Sequence, residues 1–220
     1  MLDTVIGCIA PHYCYGCGQL GHTICNSCKY DIVSEPYSGC IECGTIALDG
    51  VCESCREAYL KAWCVGERDD MLKQLIDGYK FSRQKASYKV SAALLDSVIA
   101  QLPDATIVTS IPTVPSHIRQ RGYDHTALIA REFARLRGVR YLPLLVRLHT
   151  ARQRGATRQQ RIIQASTAFK AARQLESDVP YLLLDDIVTT GATIRHGAKV
   201  LQVAGAKQIM VAAIARQPLQ

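Results

Sequence analysis

All ten cysteines of this chain fall within its first 64 residues, and eight of them form four C-x-x-C pairs: Cys14/Cys17, Cys25/Cys28, Cys40/Cys43 and Cys52/Cys55. Seven residues separate the first two pairs and eight separate the last two. A C-x-x-C turn aims two thiolates at one point, and two such turns complete a tetrahedral Zn²⁺ site. The spacing therefore predicts two structural zinc sites, Cys14, Cys17, Cys25, Cys28 and Cys40, Cys43, Cys52, Cys55. An interleaved pairing satisfies the same spacing. Four thiolates close a zinc site, so these centres are expected to stabilise the fold and not to catalyse. A segment of this size with few large apolar side chains needs such staples.

Two other uses of the cysteines are weaker. The N-terminus has an acid at Asp3, no basic stretch and no long apolar core, so it does not read as a secretory signal. The expectation is a soluble, cytoplasmic protein, where thiols stay reduced and a disulfide framework is disfavoured. Four tandem pairs also exceed what one redox exchange needs. Cys8 and Cys64 are left over and read as packing residues, and His12 and His22 are not needed as ligands. Gly16, Gly18 and Gly21 spell G-x-G-x-x-G, but Cys17 lies inside it and no strand precedes it, so they read as knuckle turns.

Beyond Cys64 the pattern changes. Met71, Leu72, Leu75, Ile76 and Tyr79 recur at helical spacing, as do Val90, Leu94 and Val98. Short apolar runs at 105–111, 141–146, 179–184 and 208–214 read as strands, with Pro143 weakening the second. A helix after Asp124 carries Ile129, Phe133 and Leu136 and stops at Gly138; another carries Ile194, Ala198 and Leu201 and stops at Gly205. The alternation predicts an α/β body over 63–220, a parallel sheet flanked by helices, after a cysteine-rich domain over 1–62. No apolar run is long enough for a membrane span. Residues 1–64 carry three Lys and Arg against seven acids, whereas residues 117–173 carry 13 bases against Asp124 and Glu132 alone. That asymmetry suits a phosphate, pyrophosphate or nucleic-acid ligand as well as a solvated surface.

Ligands of such sheets bind beyond the strands' carboxyl ends. There the segment Leu182–Thr193, LLLDDIVTTGAT, delivers Asp185 and Asp186 and then Thr189, Thr190, Gly191, Ala192 and Thr193 at the start of a helix. Backbone N–H groups and threonine hydroxyls there suit a phosphate monoester, and the carboxylates suit the vicinal hydroxyls of a ribose. No G-x-x-x-x-G-K-[ST] is present, so this is not a nucleotide P-loop.

This string resembles the phosphoribosyl-pyrophosphate (PRPP) motif of type I phosphoribosyltransferases. With four cysteine pairs ahead of it, the chain is similar to the ComF/GntX family, a double zinc ribbon before a phosphoribosyltransferase-like domain. The likeness includes Tyr79-Lys80-Phe81, Ile111-Pro112, Arg119-Gln120-Arg121-Gly122-Tyr123, and Thr150, Gln153, Arg161 and Ala168-Phe169. The chain departs from the family pattern at Asp124-His125, where Asn-Gln is usual, and at Gln164, where Asn is usual. The resemblance implies that Asp185 and Asp186 hold the ribose hydroxyls and residues 189–193 the 5′-phosphate. Arg119 and Arg121 would face the pyrophosphate, with Arg152, Arg154 and Arg158 on a lid and Mg²⁺ arriving with PRPP. His117 and His125 fall in the same pyrophosphate loop. The implied function is transfer of a phosphoribosyl group to an acceptor, in a protein of DNA uptake and natural transformation. The alternatives are a PRPP or nucleotide sensor without chemistry, or an accessory that handles single-stranded DNA or contacts DNA-uptake proteins.

Overall fold

The computed structural model describes residues 13–81, 86–148 and 168–218. Cys8, His12, His149, Thr150, Arg152, Gln153, Arg154, Arg158, Arg161 and Gln164 lie outside them.

The body is built on a five-stranded parallel sheet. Its strands are β1 (Lys61–Glu67), β2 (Ile107–Ser110), β3 (Arg140–Tyr141), β6 (Pro180–Val188) and β7 (Gln208–Arg216), in the order β1-β7-β6-β2-β3. Strands β4 (Leu145–Arg147) and β5 (Phe169–Ala171) form a separate antiparallel pair. The central strands β6 and β7 are buried almost throughout, as apolar runs without alternation require.

Helices α2 (Asp70–Phe81), α3 (Ser87–Val98) and α5 (His125–Arg137) pack Leu75, Leu95, Phe133 and Ala130 onto one sheet face with Leu182 and Leu184. Helix α6 (Ala192–Val203) and the β4–β5 pair cover the other face against Leu183 and Val211. Asp124 caps α5 by accepting the Ala127 N–H (3.0 Å), and Gly138 ends it at φ 65°. Leu136, expected on the core face of α5, is 41% exposed; Ala130 and Ala134 fill that stripe instead. The apolar run 141–146 is split at Pro143, so Tyr141 ends β3 while Leu145 opens β4 in the other sheet. The short helix α4 (Pro115–Arg121) precedes α5. Among the described residues no helix is long and apolar enough to cross a membrane.

The cysteine-rich segment repeats one small unit twice. An antiparallel bridge, Tyr13 to Leu20 and then Gly39 to Ile46, frames the first knuckle of each unit. The second pair of each unit sits at a helix start: Cys25 caps α1 (Asn26–Ser34), and Cys52 caps the single 3₁₀ turn Glu53–Cys55. The two units straddle edge strand β1. Cys14, Ile24, Cys25 and Cys28 join the core on the α2–α3–α5 face, and Ile41, Val51, Ala58 and Tyr59 join the core on the α6 face. Strand β1 opens at Lys61, so it begins just ahead of the expected domain boundary.

Arg216, at the end of β7 and 3% exposed, fastens the second unit to the sheet. Its guanidinium donates to the carbonyls of Ile41 (3.3 Å) and Glu42 (3.5 Å) and lies over the Tyr37 ring. Charged hydrogen bonds of this kind are each worth about 1.5–3 kcal/mol. Arg216→Ala is therefore expected to lower unfolding free energy by about 2–3 kcal/mol in a urea titration, and a loss under about 0.5 kcal/mol would contradict this anchoring.

Candidate functional site

Each cysteine quartet is formed by consecutive pairs, not interleaved ones: Cys14, Cys17, Cys25, Cys28 and Cys40, Cys43, Cys52, Cys55, with all ligand sulfurs of a quartet within 4.8 Å of one another. Cys17 and Cys25 Sγ lie 3.6 Å apart, as do Cys43 and Cys52 Sγ. That is too long for a disulfide and close to the ~3.8 Å edge of a ZnS₄ tetrahedron. The Cys25 N–H points at Cys14 Sγ (3.3 Å), a donor that favours thiolate. The two clusters can hold zinc ions. Gly16 fits its knuckle because a Cβ there would meet Cys28 Sγ at 2.6 Å, and Gly18 and Gly21 adopt φ 72° and 102°. These glycines serve the knuckle and not a dinucleotide fold. His22 is exposed and belongs to neither cluster.

The second site lies toward the carboxyl end of β6. The strand does not stop at Leu184; it runs on to Val188, so Asp185 and Asp186 lie within it. Successive strand residues point to opposite faces. Asp186 follows Leu182 and Leu184 toward α2 and α5, where Lys80 forms an ion pair with it and His125 Nε2 lies 2.7 Å from Oδ2. Asp185 instead lines a cavity of about 20 Å³ with Thr189, Gly191, Thr193 and Ile194. The carboxyls are 9% and 7% exposed by residue, deep enough for their partners to control their charge.

Those partners differ. Burial and then the neighbouring Asp186 charge push the Asp185 carboxyl well above the usual carboxylate range, against the pull of the Asp186 N–H bonded to its Oδ1 (2.8 Å). Burial works against Asp186 too, but the His125 hydrogen bond and the Lys80 ammonium outweigh it and hold that carboxyl far below the range. The two carboxyls are thus pushed in opposite directions, Asp185 toward its protonated form and Asp186 toward its ionised form.

His125 is oriented from behind. Arg121, which can only donate, lies 3.0 Å from Nδ1, so Nδ1 accepts and the ring proton sits on Nε2, facing Asp186. Thr113 Oγ1, also 3.2 Å from Nδ1, gives its hydrogen to Asp124 Oδ1 (2.8 Å). The Tyr79 hydroxyl donates to the His125 carbonyl (3.1 Å), Tyr123 donates to the Tyr79 carbonyl (2.8 Å), and the two tyrosine rings stack. Asp124 directs its carboxylate at Thr113 and the α5 N-terminus.

The structure therefore brings Asp185, Thr189, Gly191 and Thr193 together, and joins Asp186 to Lys80, His125 and Arg121. Thr189, Thr190, Ala192 and Thr193 are exposed at the loop and the start of α6. Arg119 is exposed two residues before Arg121, and His117 is exposed on the same helix. Arg147 braces the loop after β2 by donating to the Pro112 carbonyl (3.0 Å). The expected lid arginines lie outside the described residues. His125, expected only to fall in the loop near the pyrophosphate, has its ring buried against Asp186. The Lys80 pairing was visible only as a family-like lysine–aromatic step.

The split ionisation has opposite consequences for stability. Asp186, with its folded pKa depressed, contributes stability that is present above the ordinary aspartate pKa and is lost as pH falls toward the folded value. Asp185, with its pKa raised, contributes stability present below the ordinary value and lost as pH rises through the folded one. At pH 7, Asp186→Asn should lower unfolding free energy by about 3 kcal/mol by stranding Lys80. Asp185→Asn should leave it unchanged or raised. Equal losses in urea titrations of both variants would contradict the split.

No family model matches the chain. Among curated proteins, it is 29% identical to Competence protein F of Haemophilus influenzae over 213 residues, covering 88% of this chain and 90% of that protein. It is 26% identical to Competence protein ComFC of Streptococcus pneumoniae over 215 residues, covering 88% and 87% respectively. Among solved structures, the allosteric regulatory enzyme of purine biosynthesis aligns with 57% of this chain and 24% of its own, at 19% identity and TM-score 0.41. An adenine phosphoribosyltransferase of Thermoanaerobacter pseudethanolicus aligns with 59% of this chain and 70% of its own, at 13% identity and TM-score 0.36. Both competence proteins align with most of this chain and with most of their own length, so the chain is similar to ComF-type competence proteins across the cysteine-rich segment and the sheet alike.

Proposed function

We propose that the chain comprises a zinc-bearing head over 1–62 and a body over 63–220 that binds PRPP and transfers its phosphoribosyl group to an acceptor. The observation that carries this reading is the adjacent pair on opposite faces of β6, Asp185 lining a cavity with Thr189, Gly191 and Thr193 and Asp186 held by Lys80 and His125, followed directly by the 189–193 loop into α6. Gly191 at φ 71° opens that helix, and the first-turn N–H groups and threonine hydroxyls suit the 5′-phosphate. Asp185, in the same cavity, takes one ribose hydroxyl. Asp186 takes the other, its charge kept by Lys80 and His125.

In the reaction the anomeric C–O bond to pyrophosphate breaks, the acceptor's lone pair forms the new bond, and pyrophosphate leaves with the electron pair. The oxocarbenium-like sugar is favoured by the nearby Asp186 carboxylate, and charge on the leaving pyrophosphate by Arg121 and Arg119. Mg²⁺, held mainly by PRPP oxygens and water, would neutralise that charge further. The relatives' names support competence, and hence DNA uptake, as the cellular setting. A second reading, contact with single-stranded DNA or a DNA-uptake protein, is supported by the exposed cations Arg131, Arg135 and Arg140 within the basic stretch.

Calorimetric titration of the zinc-loaded protein with PRPP tests the first reading. Binding should require Mg²⁺ and vanish in the Asp185→Asn/Asp186→Asn double variant while both zinc ions are retained. No heat at millimolar PRPP, or unchanged binding by the double variant, would refute it.

A further inference from the structure

The two cysteine units share one backbone plan, yet their knuckles send different side chains inward. The third knuckle position is Gly16 in the first unit, packed beside Met71 and Cys28. In the second unit it is Glu42, an acid only 3% exposed and lodged between two zinc-ligand candidates. A buried carboxylate is costly unless it is paired and hydrogen-bonded, and metal binding does not require one there.

Glu42 has among its neighbours Gly191 and Arg195, which belong to the 189–193 loop and the helix it opens. Its Oε1 accepts from the Tyr59 hydroxyl (2.6 Å), and its Oε2 accepts from Arg195 Nε (2.7 Å) and Nη2. Arg195 lies in the first turn of α6, where a cation is disfavoured by the helix dipole unless an anion neutralises it. The Glu42 side chain also lies flush against Gly191: a Cβ on that residue would come 2.9 Å from both Glu42 Cβ and Cδ. The knuckle itself is anchored by Arg216 through the Ile41 and Glu42 carbonyls. The second cluster thus reaches the back of the candidate phosphate loop through one side chain, and the first cluster has no equivalent contact among the described residues.

We propose that Glu42 is a positioning residue for this loop, through which the metal of the second cluster and the phosphoribosyl ligand each strengthen the other's binding. The proposal rests on the PRPP reading above. Metal orders the Cys40–Cys43 knuckle, the knuckle holds Glu42, and Glu42 fixes Gly191 and Arg195 in the arrangement the ligand needs. Whichever ligand binds first bears the ordering cost, so the second binds more tightly, and linkage makes the two effects equal.

The test is an equilibrium competition between the zinc-loaded full chain and a chromophoric chelator, with and without saturating PRPP and Mg²⁺. PRPP should raise the affinity of one zinc ion by about tenfold and leave the other unchanged. A Cys17→Ser variant, which disables the first cluster, should keep the PRPP-sensitive ion. The Asp185→Asn/Asp186→Asn variant should show no effect of PRPP on either ion. Glu42→Ala should abolish the effect and weaken PRPP binding by the same factor. Arg195→Gln, at a side chain 41% exposed, should reduce it and serves if Glu42→Ala does not fold. PRPP binding with both zinc affinities unchanged, or with both raised alike and Glu42→Ala retaining the effect, would overturn this inference and leave the PRPP reading standing. A calorimetric titration without heat would overturn both.

Discussion

The ionised Asp186 carboxylate, gripped by Lys80 from α2 and His125 from α5, is the constraint around which the site is organised. A carboxylate inside a central strand is tolerated only because two elements from elsewhere in the chain bring partners to it. His125 lies 61 residues from Asp186 in sequence, and its ring is turned by Arg121 and enclosed by Tyr79. Those contacts place α2, α5 and the loop after β2 relative to the strand that leads into the 189–193 loop. Asp185 is the counterpart: burial and then its neighbour's charge push its carboxyl well above the usual carboxylate range. One central strand thereby carries a carboxylate paired with cations on one face and a carboxyl facing the loop cavity on the other. Keeping such a pair costs stability, the usual price at sites built for binding charge.

The head is not a bead on a string. Its two cysteine units clasp edge strand β1 from opposite faces, each contributing apolar side chains to the core on its own side. Arg216 and the Glu42–Arg195 pair then tie the second unit to the ends of β7 and the start of α6.

Much of this was legible in sequence. The four cysteine pairs located both clusters, and the helical spacing of Met71 to Tyr79 and the Asp124 and Gly138 boundaries located α2 and α5. Strand β1 was missed because Cys64 made it look like the tail of the head, and Gly66 interrupts its short apolar run. The apolar run 141–146 read as one strand although Pro143 divides it between two sheets. The strand through Asp185 and Asp186 was read as ending at Leu184, since carboxylates normally mark a strand's exit; only the distant partners explain its continuation. That continuation sets the two aspartates on opposite faces, which no local pattern reveals. Glu42 carried no signal either, because within C-x-x-C any residue reads as filler, and its meaning comes from Arg195, 153 positions away.

The central claim is that two adjacent aspartates of opposed ionisation form the ligand site. The most direct measurement is a carbon NMR titration of the aspartate side-chain carboxyls, assigned with the single Asn variants and repeated with PRPP and Mg²⁺. The account predicts that the Asp186 signal stays ionised to the acid limit of the folded protein while Asp185 titrates above the usual ~3.9. Both signals should move when PRPP is added. Two carboxyls titrating together near the ordinary value, with neither shifted by PRPP, would contradict it.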